Sequence, residues 1–138
     1  MFGSVISTTR PIFLESDITL GGIILDNNQT YALGGLGEIN LAADSLLNDP
    51  TVDVLQGSHE IQTLLNLLAD TTIDIATGAV LSLNGALDLN GFTLTMTGGG
   101  TLLINNHITT DGGSIILPLV GAIGGDGYAA YAVPCLLY

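Results

Sequence analysis

The sequence predicts an all-β chain: a right-handed parallel β-helix, a solenoid of three short strands and about 21 residues per coil. Three observations lead there. Apolar residues alternate with small polar ones in short segments such as "TTIDI" at 71–75, so each segment has one buried and one wet face. Gly and Asn sit between segments, where the chain must turn. The alternating pairs return in one register, at a period of about 21 residues.

The first series starts at Tyr31 and Leu33. It continues through Val52 and Val54, Ile73 and Ile75, Leu94 and Met96, to Ile115 and Leu117. The second runs from Ile39 and Leu41 through Ile61, after a one-residue slip. Leu81 with Leu83, Leu102 with Ile104, and Ile123 follow. The third places Leu46 before Leu65 and Leu67, then Leu87 and Leu89, then Ile108. Equivalent strands of successive coils stack in parallel about 4.8 Å apart, and their inward residues form apolar ladders. An antiparallel sandwich also uses short strands, but nothing in it requires a common register five times over. "EIQTLLNLLAD" at 60–70 has helical spacing at Ile61, Leu64, Leu65 and Leu68; its place in the series argues for strand. The right hand follows from the bias of parallel crossovers.

The organisation follows from the series. Residues 1–17 form a cap or a further strand. Residues 18–117 form the solenoid, a rod roughly 20–25 Å long. Residues 118–138 are apolar and form a cap or an assembly contact.

The chain has 138 residues, enough for one domain, and a net charge of -12 with thirteen acids against a single Arg10. It lacks the cations a nucleic-acid binder needs to neutralise phosphate, and an anionic membrane surface repels it. No apolar run is long enough for a transmembrane helix. Arg10 follows the first apolar residues rather than preceding them, unlike the basic start of a signal peptide. Export then implies a signal outside this chain, or a longer parent. Cys135 is the lone cysteine, an incidental thiol or an intermolecular bridge. His59 and His107 sit near strand starts and read as surface or turn residues.

Asp53 and Asp74 lie one period apart, each between inward apolar residues. They should stack outward on adjacent coils, with Thr95 one coil on and Ala32 one coil back. The plain reading is two solvated acids. The sharper one is a Ca²⁺ site, which favours clustered carboxylate oxygens. Glycosidase chemistry uses paired carboxylates at such a separation. The chain has no Lys, and its Arg lies outside the repeat, so no catalysis is expected. Asn84 and Asn105, also one period apart, suit a hydrogen-bonded ladder between coils. "GGDG" at 124–127 reads as a turn, and Asn28-Gln29-Thr30 fits a glycosylation sequon.

Gly57-Ser58-His59, Ala76-Thr77-Gly78-Ala79 and Thr97-Gly98-Gly99-Gly100-Thr101-Leu102 occur in order. Over about residues 22–106 the chain resembles the autotransporter-associated β-strand repeats of large secreted bacterial proteins. The resemblance implies a passenger-like surface protein, adhesive or structural, with no catalytic residues and no cofactor. "AVPCLLY" at 132–138 is similar to the start of a Val-Pro-Glu-Pro sorting signal but lacks its Glu-Pro. The expected function is therefore a structural or adhesive segment at the cell surface or outside the cell. Its expected partners are surface glycans, a parent protein or further copies. The alternatives are a module that self-assembles through apolar ends, and a carbohydrate-binding or carbohydrate-active β-helix.

Overall fold

The computed structural model of the chain describes residues 7–118 and 120–132. In chain order the strands are β1 (Arg10–Leu14), β2 (Ile18–Leu20), β3 (Gly22–Asp26), β4 (Tyr31–Gly35), β5 (Ile39–Leu41), β6 (Thr51–Gln56), β7 (Ser58–Ile61) and β8 (Leu65–Leu67). They continue as β9 (Thr71–Ile75), β10 (Val80–Leu83), β11 (Leu87–Asp88), β12 (Thr93–Thr97), β13 (Thr101–Ile104), β14 (Ile108–Thr109), β15 (Ser114–Ile116) and β16 (Ala122–Gly124). The helix α1 (Asp126–Ala132) follows.

All the strand pairings are parallel. One sheet runs β1-β4-β7-β10-β13-β16, a second β2-β5-β8-β11-β14, a third β3-β6-β9-β12-β15. The chain visits the three sheets in turn, and so builds a β-solenoid of about five turns with about 21 residues per coil. The coil length is visible in the register: Ile12 pairs with Leu33, Val52 with Ile73, Leu81 with Leu102 and Leu87 with Ile108.

Inward residues are almost wholly apolar. Leu41, Val52, Leu67, Ile73, Leu81, Leu94 and Leu102 are each 0% exposed. Burial of such a side chain contributes about 1.5–3 kcal/mol, and no coil can bury its own face without a neighbour.

Short corners recur between the first and second sheets at 15–17, 36–38, 62–64, 84–86 and 105–107. Their middle residues stack closely. A Cβ on Gly37 would lie 2.0 Å from the Ser16 carbonyl oxygen, and one on Gly85 2.1 Å from that of Thr63. Glycine stands there because backbone meets backbone. At the far end α1 packs on the last coil: the Ile115 N–H donates to the Tyr131 hydroxyl at 3.2 Å. This covers a core that would otherwise open to water.

The register differs from the expected one in several places. Tyr31 and Leu33 lie in β4 of the first sheet, over Arg10 and Ile12, not below Val52 and Val54. The strand below Val52 and Val54 is β3, through Ile23 and Leu25. Ile39 and Leu41 belong to the second sheet, under Leu65 and Leu67. Leu46 joins no ladder and is 80% exposed. Ile73 pairs with Met96, and Leu94 with Thr71, so the expected match between Ile73 and Leu94 is displaced along the strand.

The main cause is an insertion. Residues 42–50 separate β5 from β6, where later coils use only 68–70, 89–92 and 110–113. The coil step therefore lengthens most at this boundary, where Ile23 pairs with Val52, Leu33 with Ile61 and Ile39 with Leu65. The loop is internally tied. Asp44 Oδ1 accepts the Leu46 and Asn48 N–H groups at 2.8 and 3.0 Å, and its Oδ2 accepts Asn48 Nδ2 at 2.9 Å. These bonds, the Asn48 side chain first, hold the Asp44 carboxyl below its ordinary value.

Candidate functional site

The third sheet places the two acids together. Thr51-Val52-Asp53, Thr72-Ile73-Asp74 and Thr95-Met96-Thr97 lie on β6, β9 and β12. Val52, Ile73 and Met96 share one inward ladder, so their neighbours face out. Thr51, Thr72 and Thr95 form one outward column; Asp53, Asp74 and Thr97 form the next. Columns are about 6.6 Å apart along the strand and rows about 4.8 Å apart between coils.

Asp53 and Asp74 are direct register partners, as the sequence implies. Their further neighbours differ. Thr97, not Thr95, lies beyond Asp74, because the step from β9 to β12 is slightly longer than the regular period. Ile24, not Ala32, lies before Asp53, because the insertion moves Ala32 into another sheet. Thr51 Oγ1 donates to Asp53 Oδ2 at 3.2 Å, and Thr97 Oγ1 donates to Asp74 Oδ1 at 2.7 Å. Among the described residues no group of three or more His, Cys, Asp or Glu gathers around a common point. The arrangement offers carboxylate and hydroxyl oxygens on a wet face.

The second sheet carries another outward column: Thr19, Asn40, Asn66, Asp88 and Thr109 are successive register partners. Asn66 Nδ2 donates to Glu38 Oε2 at 2.8 Å and to Asn40 Oδ1 at 3.1 Å. The expected asparagine ladder is present at the corners, where Asn105 Nδ2 donates to Asn84 Oδ1 at 2.8 Å. An open hollow of about 340 Å³ lies beside β12, lined by Thr95, Met96, Thr97, Gly98, Leu117, Pro118 and Val120.

Compared with protein-family models, curated proteins and solved structures, the chain finds no match. Its function must therefore be read from its own surfaces and core.

His59 departs from its expected place at the surface. It is 1% exposed and fills an inward position beneath Leu81. Its ring stacks on Tyr31 at 5.7 Å between centroids. Nδ1 accepts the Tyr31 N–H at 3.1 Å, and Nε2 lies 2.8 Å from the Gln56 carbonyl oxygen. A signal was present: His59 stands two positions before the inward Ile61, and alternation sends both to the same side. Burial holds its imidazole below the ordinary value, and hydrogen bonds to the Gln56 and Asn27 backbones pull the other way.

The remaining candidates are peripheral. His107 is exposed at a corner, and Asn28 is exposed in the turn between β3 and β4. Gly124 ends β16 and Asp126 starts α1, so "GGDG" is a strand-to-helix connection. Cys135 and the rest of 133–138 lie outside the described residues.

Proposed function

We propose that the chain is a structural, adhesive β-solenoid segment of an exported or cell-surface protein, without catalysis. The carrying observation is the regular outward array of Thr51, Asp53, Thr72, Asp74, Thr95 and Thr97 on a stack with an apolar core. A repeating row of oxygen donors and acceptors suits a repeating partner, such as an extended surface glycan. Each coil meets one unit, and weak contacts add along the rod. The resemblance to autotransporter-associated repeats supports the same reading. The acidic surface keeps such a rod soluble and away from anionic polymers.

A panel of immobilised bacterial surface polysaccharides tests this reading. The expected result is retention by one or more of them, lost when Thr72→Ala and Thr95→Ala are combined while the melting temperature holds. Glycan cleavage by the wild type that disappears with Asp53→Ala and Asp74→Ala would replace adhesion with catalysis. Ca²⁺ belongs to the reading only if it raises the melting temperature of the wild type and not that of Asp53→Asn.

Exposed apolar side chains favour a second reading, self-association. Leu36, Leu46 and Leu47 are 80–85% exposed, and Ile116, Leu117 and Val120 51–64%. Native mass measurements across concentration should then show oligomers; a strictly monomeric particle removes this reading.

A further inference from the structure

We infer that the boundary between the coil β3-β4-β5 and the coil β6-β7-β8 is an acid-sensitive seam, at which protonation of His59 parts the rod. Here the coil step is longest, and the first sheet is thinnest. β4 and β7 are in register only at Ala32–Glu60 and Leu33–Ile61, whereas β1 and β4 pair from Arg10–Tyr31 through to Leu14–Gly35. Where the ladder stops, a side chain bridges the coils. The Tyr31 N–H donates to His59 Nδ1.

That bond requires a neutral ring. Nδ1 accepts a hydrogen bond, so the proton must sit on Nε2, facing the Gln56 carbonyl. A second proton would go to Nδ1. It would then point at the Tyr31 N–H, donor against donor, and would place a charge at a position 1% exposed. The Gln56 and Asn27 backbones favour that charge, but burial outweighs them. The nearby acids are engaged elsewhere. The Asp26 carboxylate at the end of β3 accepts Gln56 Nε2 at 2.7 Å. Glu60, next on β7, accepts Gln62 Nε2 at 2.8 Å. From β4 comes the Tyr31 ring, beyond which lies the exposed Arg10 of β1, and from β10 comes Leu81. The turn at 27–30 packs closely over the junction of β6 and β7, where a Cβ on Gly57 would lie 2.0 Å from the Asn27 carbonyl oxygen.

The sign follows from linkage. The folded chain resists the proton and the opened chain does not, so His59 supports closure fully above the ordinary imidazole value of about 6.5. As pH falls below that value, closure loses up to about ten-fold in equilibrium constant per unit. The loss levels off once the folded form is itself protonated.

The test uses the full chain between pH 7.5 and pH 5. Ring resonances of His59 are followed by NMR, and backbone protection by hydrogen exchange. The expected result is that His59 takes its proton below the ordinary imidazole value of about 6.5. Protection at Tyr31 should fall before that of β10 and β13. In urea melts the wild type should lose up to about ten-fold per pH unit, and His59→Gln, which can still accept the Tyr31 N–H, should lose much less. His59 titrating at or above that ordinary value overturns the inference. So does uniform loss of protection along the rod, or a His59→Gln slope equal to that of the wild type. Should the variant not fold, the two wild-type measurements decide alone.

Discussion

From β6 onward, each coil sits on the last at a nearly constant step, and apolar side chains meet apolar side chains. At the boundary just before β6 the step is longer, and polar groups cross it. Gln56 reaches Asp26, His59 holds the Tyr31 N–H, Thr63 donates to the Gly37 carbonyl, and Asn66 reaches Asn40 and Glu38. The contrast shows two ways of joining coils. Polar bonds also cross the later boundaries, Thr97 to Asp74 and Asn105 to Asn84, but there they lie on the exposed face. Where an insertion disturbs the register, directional bonds must hold the geometry. A solenoid's stability is approximately a sum over neighbouring interfaces, so each boundary contributes its own share.

The largest expected effect probes the regular stack. Ile73 is 0% exposed between Val52 and Met96. Ile73→Asp should cost about 3–5 kcal/mol by burying an unpaired charge, read from a urea transition. An unchanged midpoint would contradict the inward ladder.

Next comes the corner stack. Gly85→Ala drives a Cβ into the Thr63 backbone and should cost about 1–3 kcal/mol. A melting temperature equal to that of the wild type would mean the corners have room to spread.

The seam itself is probed by Thr63→Val, which keeps shape and removes the hydroxyl bonded to Gly37. A buried acceptor is left without its partner, at about 1–2 kcal/mol. Faster hydrogen exchange should be confined to β4, β5, β7 and β8. Spread over all the coils, it would erase the distinction between seam and stack.

The same bond type on the exposed corner should matter less. Asn105→Ala removes the bond to Asn84 and should cost only about 0.5 kcal/mol. A loss equal to that of Thr63→Val would show that the ladder, not burial, sets the scale. The smallest effect has the opposite sign. Asp53→Asn removes a like-charge neighbour of Asp74 and should stabilise by a few tenths of a kcal/mol at low salt. Adding about 1 M salt should abolish the gain, since such charges are then screened.

The regular coils were legible because their strands and corners keep nearly constant lengths. Leu81 to Leu102 and Val52 to Ile73 are local statements, and both hold. Residues 60–70 form β7 and β8, as their place in the series suggests, despite a helical spacing. Most errors cluster around residues 42–50; Leu117, expected to continue the first ladder, instead lies past the end of β15 and is 58% exposed. A period-two pattern reads alike in all three sheets, so Tyr31 and Leu33 look as well placed beneath Val52 as beneath Ile61. Leu46 has the right composition for a ladder, and only the Asp44-centred loop turns it outward. The outward pairing of Asp53 with Asp74 was legible for the same reason as the ladders. Its hydroxyl partner Thr97 was hidden by a small change in step.

The sequence by itself determined which residues of each strand turn inward and roughly how long a coil is. Those properties come from side-chain alternation and from residues that permit turns, both local. Only the tertiary structure decided which strand lies on which, because that depends on loop lengths and on contacts between whole coils. It also decided that a histidine could be buried. A polar ring is tolerated in a core only where its partners are in place, and the partner that His59 receives is the Tyr31 N–H, far off in sequence on the neighbouring coil.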